Sequence, residues 1–219
     1  MKEKAELKKI MKALMESPMC VAIIIVNILI YLALKPMPQL MEVLSLHPDA
    51  GMLVQRPWTL VTVFFLHEVG VHIFGTMLIV FYAGNKLEKV IGPARILLIY
   101  LVAGIAGSLA MLAVSRFVET TEVSAGASAA ALGILGASVM VPLKDIKRSL
   151  DVKKIIIVVI ITNLFMLIFN LRQFAGSTFA HLAGIAVGVM FGWWLKKQMP
   201  APQKVIIKRK RSQGTGKAE

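Results

Sequence analysis

The sequence predicts an all-α membrane protein, a six-transmembrane-helix bundle with both termini in the cytoplasm. Three observations point to this class. Hydrophobic residues fill 57% of the 219 positions, more than soluble domains carry. Six apolar stretches, at about 19–34, 69–84, 96–115, 123–142, 155–171 and 178–195, are long enough or nearly so to cross a hydrocarbon core roughly 30 Å thick. Finally, 21 of the 25 basic residues fall on one side of a six-span arrangement, which marks that side as cytoplasmic.

The elements follow in order. Five lysines in residues 1–18 precede the first span, which lacks a small-x-small cleavage site and so reads as a retained anchor. Cys20, the sole cysteine, has no intrachain partner and reads as a small apolar side chain. The stretch Lys35–Pro57 is a long external loop with three prolines before Pro57, the length of a functional loop or lid. Trp58–Leu66 is apolar but cut off from the second span by His67, Glu68 and His72, so it reads as a half-submerged segment. Lys86, Lys89 and Arg95 mark the inner turn between spans two and three, and Lys144 to Lys154 the turn between spans four and five. Eight basic residues lie from Lys196 onward. The expected organisation is a basic cytoplasmic segment at 1–18, one membrane domain at 19–197 and a flexible basic cytoplasmic tail at 198–219, with no appended soluble domain. The net charge of +13 is thus explained by topology, with the lipid bilayer rather than nucleic acid as partner. The cell membrane is the expected location.

Small residues are concentrated in spans four and six. Gly133 and Gly136 belong to span four, and Gly184, Gly188 and Gly192 repeat every fourth residue in span six. Such faces let helix backbones approach closely in lipid. Ser128 and His181 ride on these two faces. An ionisable group within a membrane span is a functional candidate by default. With the N-terminus inside, spans two, four and six run inward, so His72, Ser128 and His181 all fall in the outer half. Ser128 and His72 lie six and four residues past the last charge (Glu122 and Glu68), roughly 6–9 Å below it.

The chemistry that fits is nucleophilic acyl transfer. A serine hydroxyl attacks well only when a base takes its proton, and His181 is the histidine near the small-residue faces. No Asp or Glu is available at that depth, so the catalytic unit reads as a Ser128–His181 dyad. Backbone N–H groups at the start of span four, unpaired in a helix's first turn, would serve an oxyanion; Gly126 and Ala127 leave room for a carbonyl oxygen to reach them, and His72 would add a side-chain donor. Asn27, Asn163 and Asn170 read as interhelical hydrogen bonders.

These residues carry a resemblance. Gly126-Ala127-Ser128-Ala129 resembles the GxSx motif of rhomboid intramembrane serine proteases, and Ala180-His181 with Gly184 and Gly188 resembles that family's AHxxGxxxG. Arg56-Pro57-Trp58-Thr59, His67, His72, Glu88-Lys89, Gly92 and Arg95 match its first loop and its second and third helices. The resemblance runs from about Arg56 to Trp194. It implies a six-helix core, a Ser128–His181 dyad, transmembrane protein substrates and no cofactor. It also implies that Thr76 stands where the family usually has an oxyanion-donating Asn, and Leu132 where an aromatic residue often stacks on the histidine. The alternative is a rhomboid-like pseudoprotease that binds transmembrane helices without cutting them. A zinc protease is disfavoured because His67 and His72 are spaced i, i+5, which on a helix turns them apart by about 140°. No metal site is expected.

Overall fold

A computed structural model of the chain describes residues 16–118, 125–142, 154, 157–161, 163–165, 168 and 171–199. The basic segments at 1–15 and 200–219, the turn at 143–153, Glu122, Asn170 and parts of the fifth apolar stretch lie outside the described residues.

Helix α1, Pro18–Leu34, opens with proline in its first turn, where a missing N–H costs nothing. Its next orphan donors have a specific acceptor: the Met19 and Cys20 N–H groups donate to the two carboxylate oxygens of Glu88, each at 2.8 Å. Charged acceptors at a helix N-terminus complement both the unpaired donors and the helix dipole. Glu88 itself is buried, and its neighbour Lys89 pairs with Glu16 at 2.5 Å on the surface.

The long connection after α1 is structured. It forms two short helices, α2 at Pro38–Leu44 and α3 at Ala50–Gln55, the first begun by proline and the second capped by the Asp49 side chain on Gly51 N–H. Ser115 Oγ donates to Pro48 O at 2.7 Å and Thr62 Oγ1 to Leu44 O at 2.6 Å, tying the connection to its neighbours.

The apolar segment Trp58–Leu66 contains α4, Thr59–Thr62, and a 3₁₀ turn at Val63–Phe65. After a sharp break the chain continues as α5, Gly70–Ile79, a π-helical turn at Val80–Gly84 and α6, Asn85–Ile91. The two pieces are bent by 93°. The short segment lies against α7, Pro93–Ser115, because Gly104 leaves space for the Phe64 ring: a Cβ there would sit 2.8 Å from the ring. Tyr100 O–H donates to Phe64 O at 2.8 Å, and Ser108 O–H reaches Leu60 O at 3.1 Å. Asn27 Nδ2 donates to Tyr100 Oη at 3.1 Å, so α1 joins the same network as an interhelical hydrogen bonder. Between α6 and α7 the backbone turns at Gly92 with φ of 82°, a left-handed conformation that favours glycine.

At the centre is α8, Ser128–Met140, with every residue from Ala129 to Ser138 buried. Thirteen residues span only about 20 Å, too short to cross the bilayer core unaided. Beside it runs α9, Leu171–Gln198. Helix α7 and the Phe174–Gln198 part of α9 are long and apolar enough to cross a membrane, and the bent pair 59–65 and 70–91 makes a third, broken crossing or a re-entrant loop. No strand occurs among the described residues.

Helices α8 and α9 meet through small residues in matching registers. A Cβ added at Gly184 would collide with the Ala129 carbonyl, one at Gly188 with the Gly133 carbonyl, and one at Gly192 would lie 2.6 Å from Ala137 O. The same holds from the other side, where a Cβ at Gly136 would sit 2.7 Å from Ile185 O. Backbone-to-backbone approach of this kind is how helices associate in lipid, where water expulsion gives no driving force.

Candidate active site

The small-residue seam sets the distance between Ser128 and His181. Ser128 is the first residue of α8, directly before Ala129, and His181 lies one helical turn before Gly184 on α9. With Gly184 pressed on Ala129, the two side chains meet: Ser128 Oγ lies 2.7 Å from His181 Nε2. Both residues are half-buried. Helix α9 begins earlier than the apolar stretch at 178–195, so His181 sits ten residues inside it rather than near its start.

His181 has a second partner that no motif announced. Its Nδ1 lies 2.6 Å from Asn163 Oδ1, 18 residues upstream in a segment helical at 157–161 and 163–165. Polar residues in apolar spans are common as interhelical hydrogen bonders, and a spacing of 18 crosses a chain connection rather than a helix turn. Only the packing of the segment on α9 brings the two together. The Thr178 hydroxyl, buried one turn before His181, reaches Asn163 O at 3.4 Å.

The approach to Ser128 is arranged by histidines. Gly126 is where the chain passes under His72: a Cβ there would sit 2.5 Å from Cε1 and 3.1 Å from Nε2 of the ring. The glycine therefore makes room for a side chain. Its N–H is engaged elsewhere, donating to Val63 O at 3.0 Å, and Ala127 N–H makes a long contact of 3.5 Å with His67 Nε2. Gly126 and Ala127, read as room for a carbonyl oxygen, thus have their own N–H groups engaged. The reason is that the 3₁₀ turn and His67 lie directly against the loop and take both donors. The N–H groups without an intrahelical acceptor move on to Ser128 and Ala129, in the first turn of α8.

The two adjacent histidines also depart from a helical reading. His67 precedes the start of α5 at Gly70, so the helical rotation of about 140° does not apply. The rings meet edge to face with centroids 5.2 Å apart, His67 buried and His72 half-buried. Thr76 lies one turn after His72 on α5 and is buried; Leu132, one turn after Ser128, is buried as well. Among the described residues there is no group of three His, Cys, Asp or Glu side chains suited to holding a metal ion.

Comparison with known proteins agrees with the arrangement of motifs. The family profile described as Rhomboid domain matches residues 54–198. RHOMBOID-like protein 1 of Arabidopsis thaliana is 30% identical over 152 residues, covering 66% of this chain and 36% of that protein. Rhomboid protease GluP of Bacillus subtilis (strain 168) is 42% identical over 108 residues, 49% of this chain and 20% of GluP. Rhomboid-like protease 3 of Toxoplasma gondii is 27% identical over 143 residues, 65% of this chain and 53% of that protein. The chain spans between a fifth and about half of the length of these curated relatives. With a matching profile over most of its length and apolar helices of the kind that cross membranes, the chain is an integral membrane protein that belongs to the rhomboid family.

Proposed function

We propose that this protein is an intramembrane serine endopeptidase that cuts transmembrane segments of membrane-anchored proteins through an acyl-enzyme. The observation that carries the reading is the 2.7 Å contact between Ser128 Oγ and His181 Nε2 at the start of a short buried helix. His181 Nε2 takes the Ser128 proton as Oγ bonds to the scissile carbonyl carbon and its oxygen becomes an oxyanion. The tetrahedral adduct collapses, the C–N bond breaks, and Nε2–H protonates the departing amine. Water then gives a proton to Nε2, attacks the acyl carbon and displaces Oγ, which recovers the proton from Nε2. The oxyanion is met by the N–H groups of Ser128 and Ala129, with His72 and Thr76 on α5 as side-chain donors.

The bundle is six-spanning, with both termini cytoplasmic and the dyad in the outer half of the membrane. Substrate helices reach Ser128 laterally, and water enters from the outer face. Thr76 in place of the family's usual Asn favours one second reading, a pseudoprotease that binds transmembrane helices without cutting them. Labelling of the purified protein by a fluorophosphonate probe separates the two. Covalent labelling of wild type, lost in both Ser128→Ala and His181→Ala, supports the protease; a folded wild type that does not label supports the second reading.

A further inference from the structure

We propose that Asn163 is a positioning residue that holds the His181 imidazole in one tautomer and one orientation, turning the dyad into a relay of three side chains. The proposal deepens the protease reading and rests on it for its catalytic meaning, but not for its geometry.

The direction of every hydrogen bond in the relay follows from its far end. Asn163 Nδ2 lies 2.8 Å from the carbonyl of Val159, one turn earlier. A carbonyl only accepts, so the nitrogen of the amide must face Val159; the flipped amide would set two acceptors against each other. The amide oxygen therefore faces His181, and at 2.6 Å it accepts from a proton on Nδ1. A neutral imidazole protonated on Nδ1 carries its lone pair on Nε2. That lone pair faces Ser128 Oγ at 2.7 Å, ready to accept the hydroxyl proton.

Without Asn163 nothing else in the described surroundings of Nδ1 selects this form. The other tautomer, with hydrogen on Nε2, would present a donor to Ser128 and could not take its proton. Among the described residues no Asp or Glu carboxylate bonds the His181 ring, and an amide oxygen serves instead: it orients the ring and leaves no buried charge when the site is at rest. The acceptor also has its own anchor. Thr178 Oγ1, on the same helix as His181, reaches Asn163 O, so Asn163 is held to α9 at two points, the ring itself and a hydroxyl one turn before it. Because Asn163 comes from a segment separate from both α8 and α9, any displacement of that segment releases the base as well.

The test combines a readout of the tautomer with one of reactivity. The chain holds four histidines, so ring-¹⁵N spectra of the detergent-solubilised, histidine-labelled protein are assignable, His181 by its loss in His181→Gln. The expected wild-type spectrum shows His181 protonated on Nδ1 and bare on Nε2. Asn163→Leu, nearly the same shape with no acceptor, is expected to mix the two tautomers. It should also slow the limiting rate of fluorophosphonate labelling about a hundredfold, leaving the probe concentration for half-maximal rate unchanged. Asn163→Asp, which retains an acceptor, should restore the limiting rate to within a few-fold of wild type.

A wild-type His181 protonated on Nε2, or an unchanged tautomer in folded Asn163→Leu, overturns the proposal. The wild-type spectrum tests the assigned tautomer by itself, even if the leucine variant does not fold. A wild type with the expected tautomer that does not label refutes the protease reading and leaves the positioning role to the variant spectra.

Discussion

Replacing Gly184 by alanine tests how the dyad is built. The new Cβ would meet the Ala129 carbonyl group of α8, with the carbonyl carbon at 2.9 Å and Cα at 3.0 Å. These are backbone atoms of a buried helix and cannot rotate aside, unlike the tip of a flexible side chain. Restoring ordinary contact at about 3.5 Å moves α9 away from α8 by roughly 1 Å at this turn. Ser128 and His181 sit on the same two helices beside the contact, so their 2.7 Å separation opens to about 3.7 Å, beyond a hydrogen bond. Overpacking of this kind costs about 1–3 kcal/mol, and a 1 Å misplacement of reacting groups costs about a hundredfold in rate. Fluorophosphonate labelling rates read the second effect, and thermal unfolding in detergent the first. Gly75→Ala is the control, since a Cβ there meets nothing within 4 Å. A Gly184→Ala protein that labels and melts like wild type would refute the view that the glycine seam sets the dyad distance.

Other substitutions separate the approach to the site from the frame around it. Gly126→Ala places a methyl 2.5 Å from His72 Cε1 and should displace that ring; labelling should fall at least tenfold with a melting shift of only a few degrees, and the two measured together check it. Glu88→Gln leaves one of the Met19 and Cys20 N–H groups facing an amide NH₂ instead of a carboxylate oxygen. The expected cost is about 2 kcal/mol, or roughly 4–8 °C in melting temperature, with little change in labelling rate at temperatures where the variant is folded.

Much of the candidate site was legible in the sequence because its parts are local. The four-residue glycine repeat of 184–192 and the glycine- and alanine-rich stretch around Ser128 announce two helices that touch closely; His181 lies one turn before Gly184, and Ser128 directly before Ala129, whose carbonyl Gly184 meets. The break after Trp58–Leu66 was visible too, since polar residues follow the apolar run; the chain turns there by 93°.

What a one-dimensional pattern does not encode is which donor reaches which acceptor. Gly126 and Ala127 read as room for a carbonyl oxygen, yet Val63 O and His67 Nε2, about 60 residues earlier in the chain, lie against their N–H groups. His67 and His72 read as diverging because the pattern assumed one helix, while the break before Gly70 turns the rings together. Asn163 is the clearest case. An asparagine in an apolar stretch has the same sequence signature whether it bonds a backbone carbonyl or a catalytic base. Composition, periodicity and motif spacing determined that this is a helical membrane protein with a serine and a histidine on two tightly packing helices. Only the tertiary structure decided what stands behind the histidine, because hydrogen bonds between distant segments depend on helix rotation and depth to within an ångström.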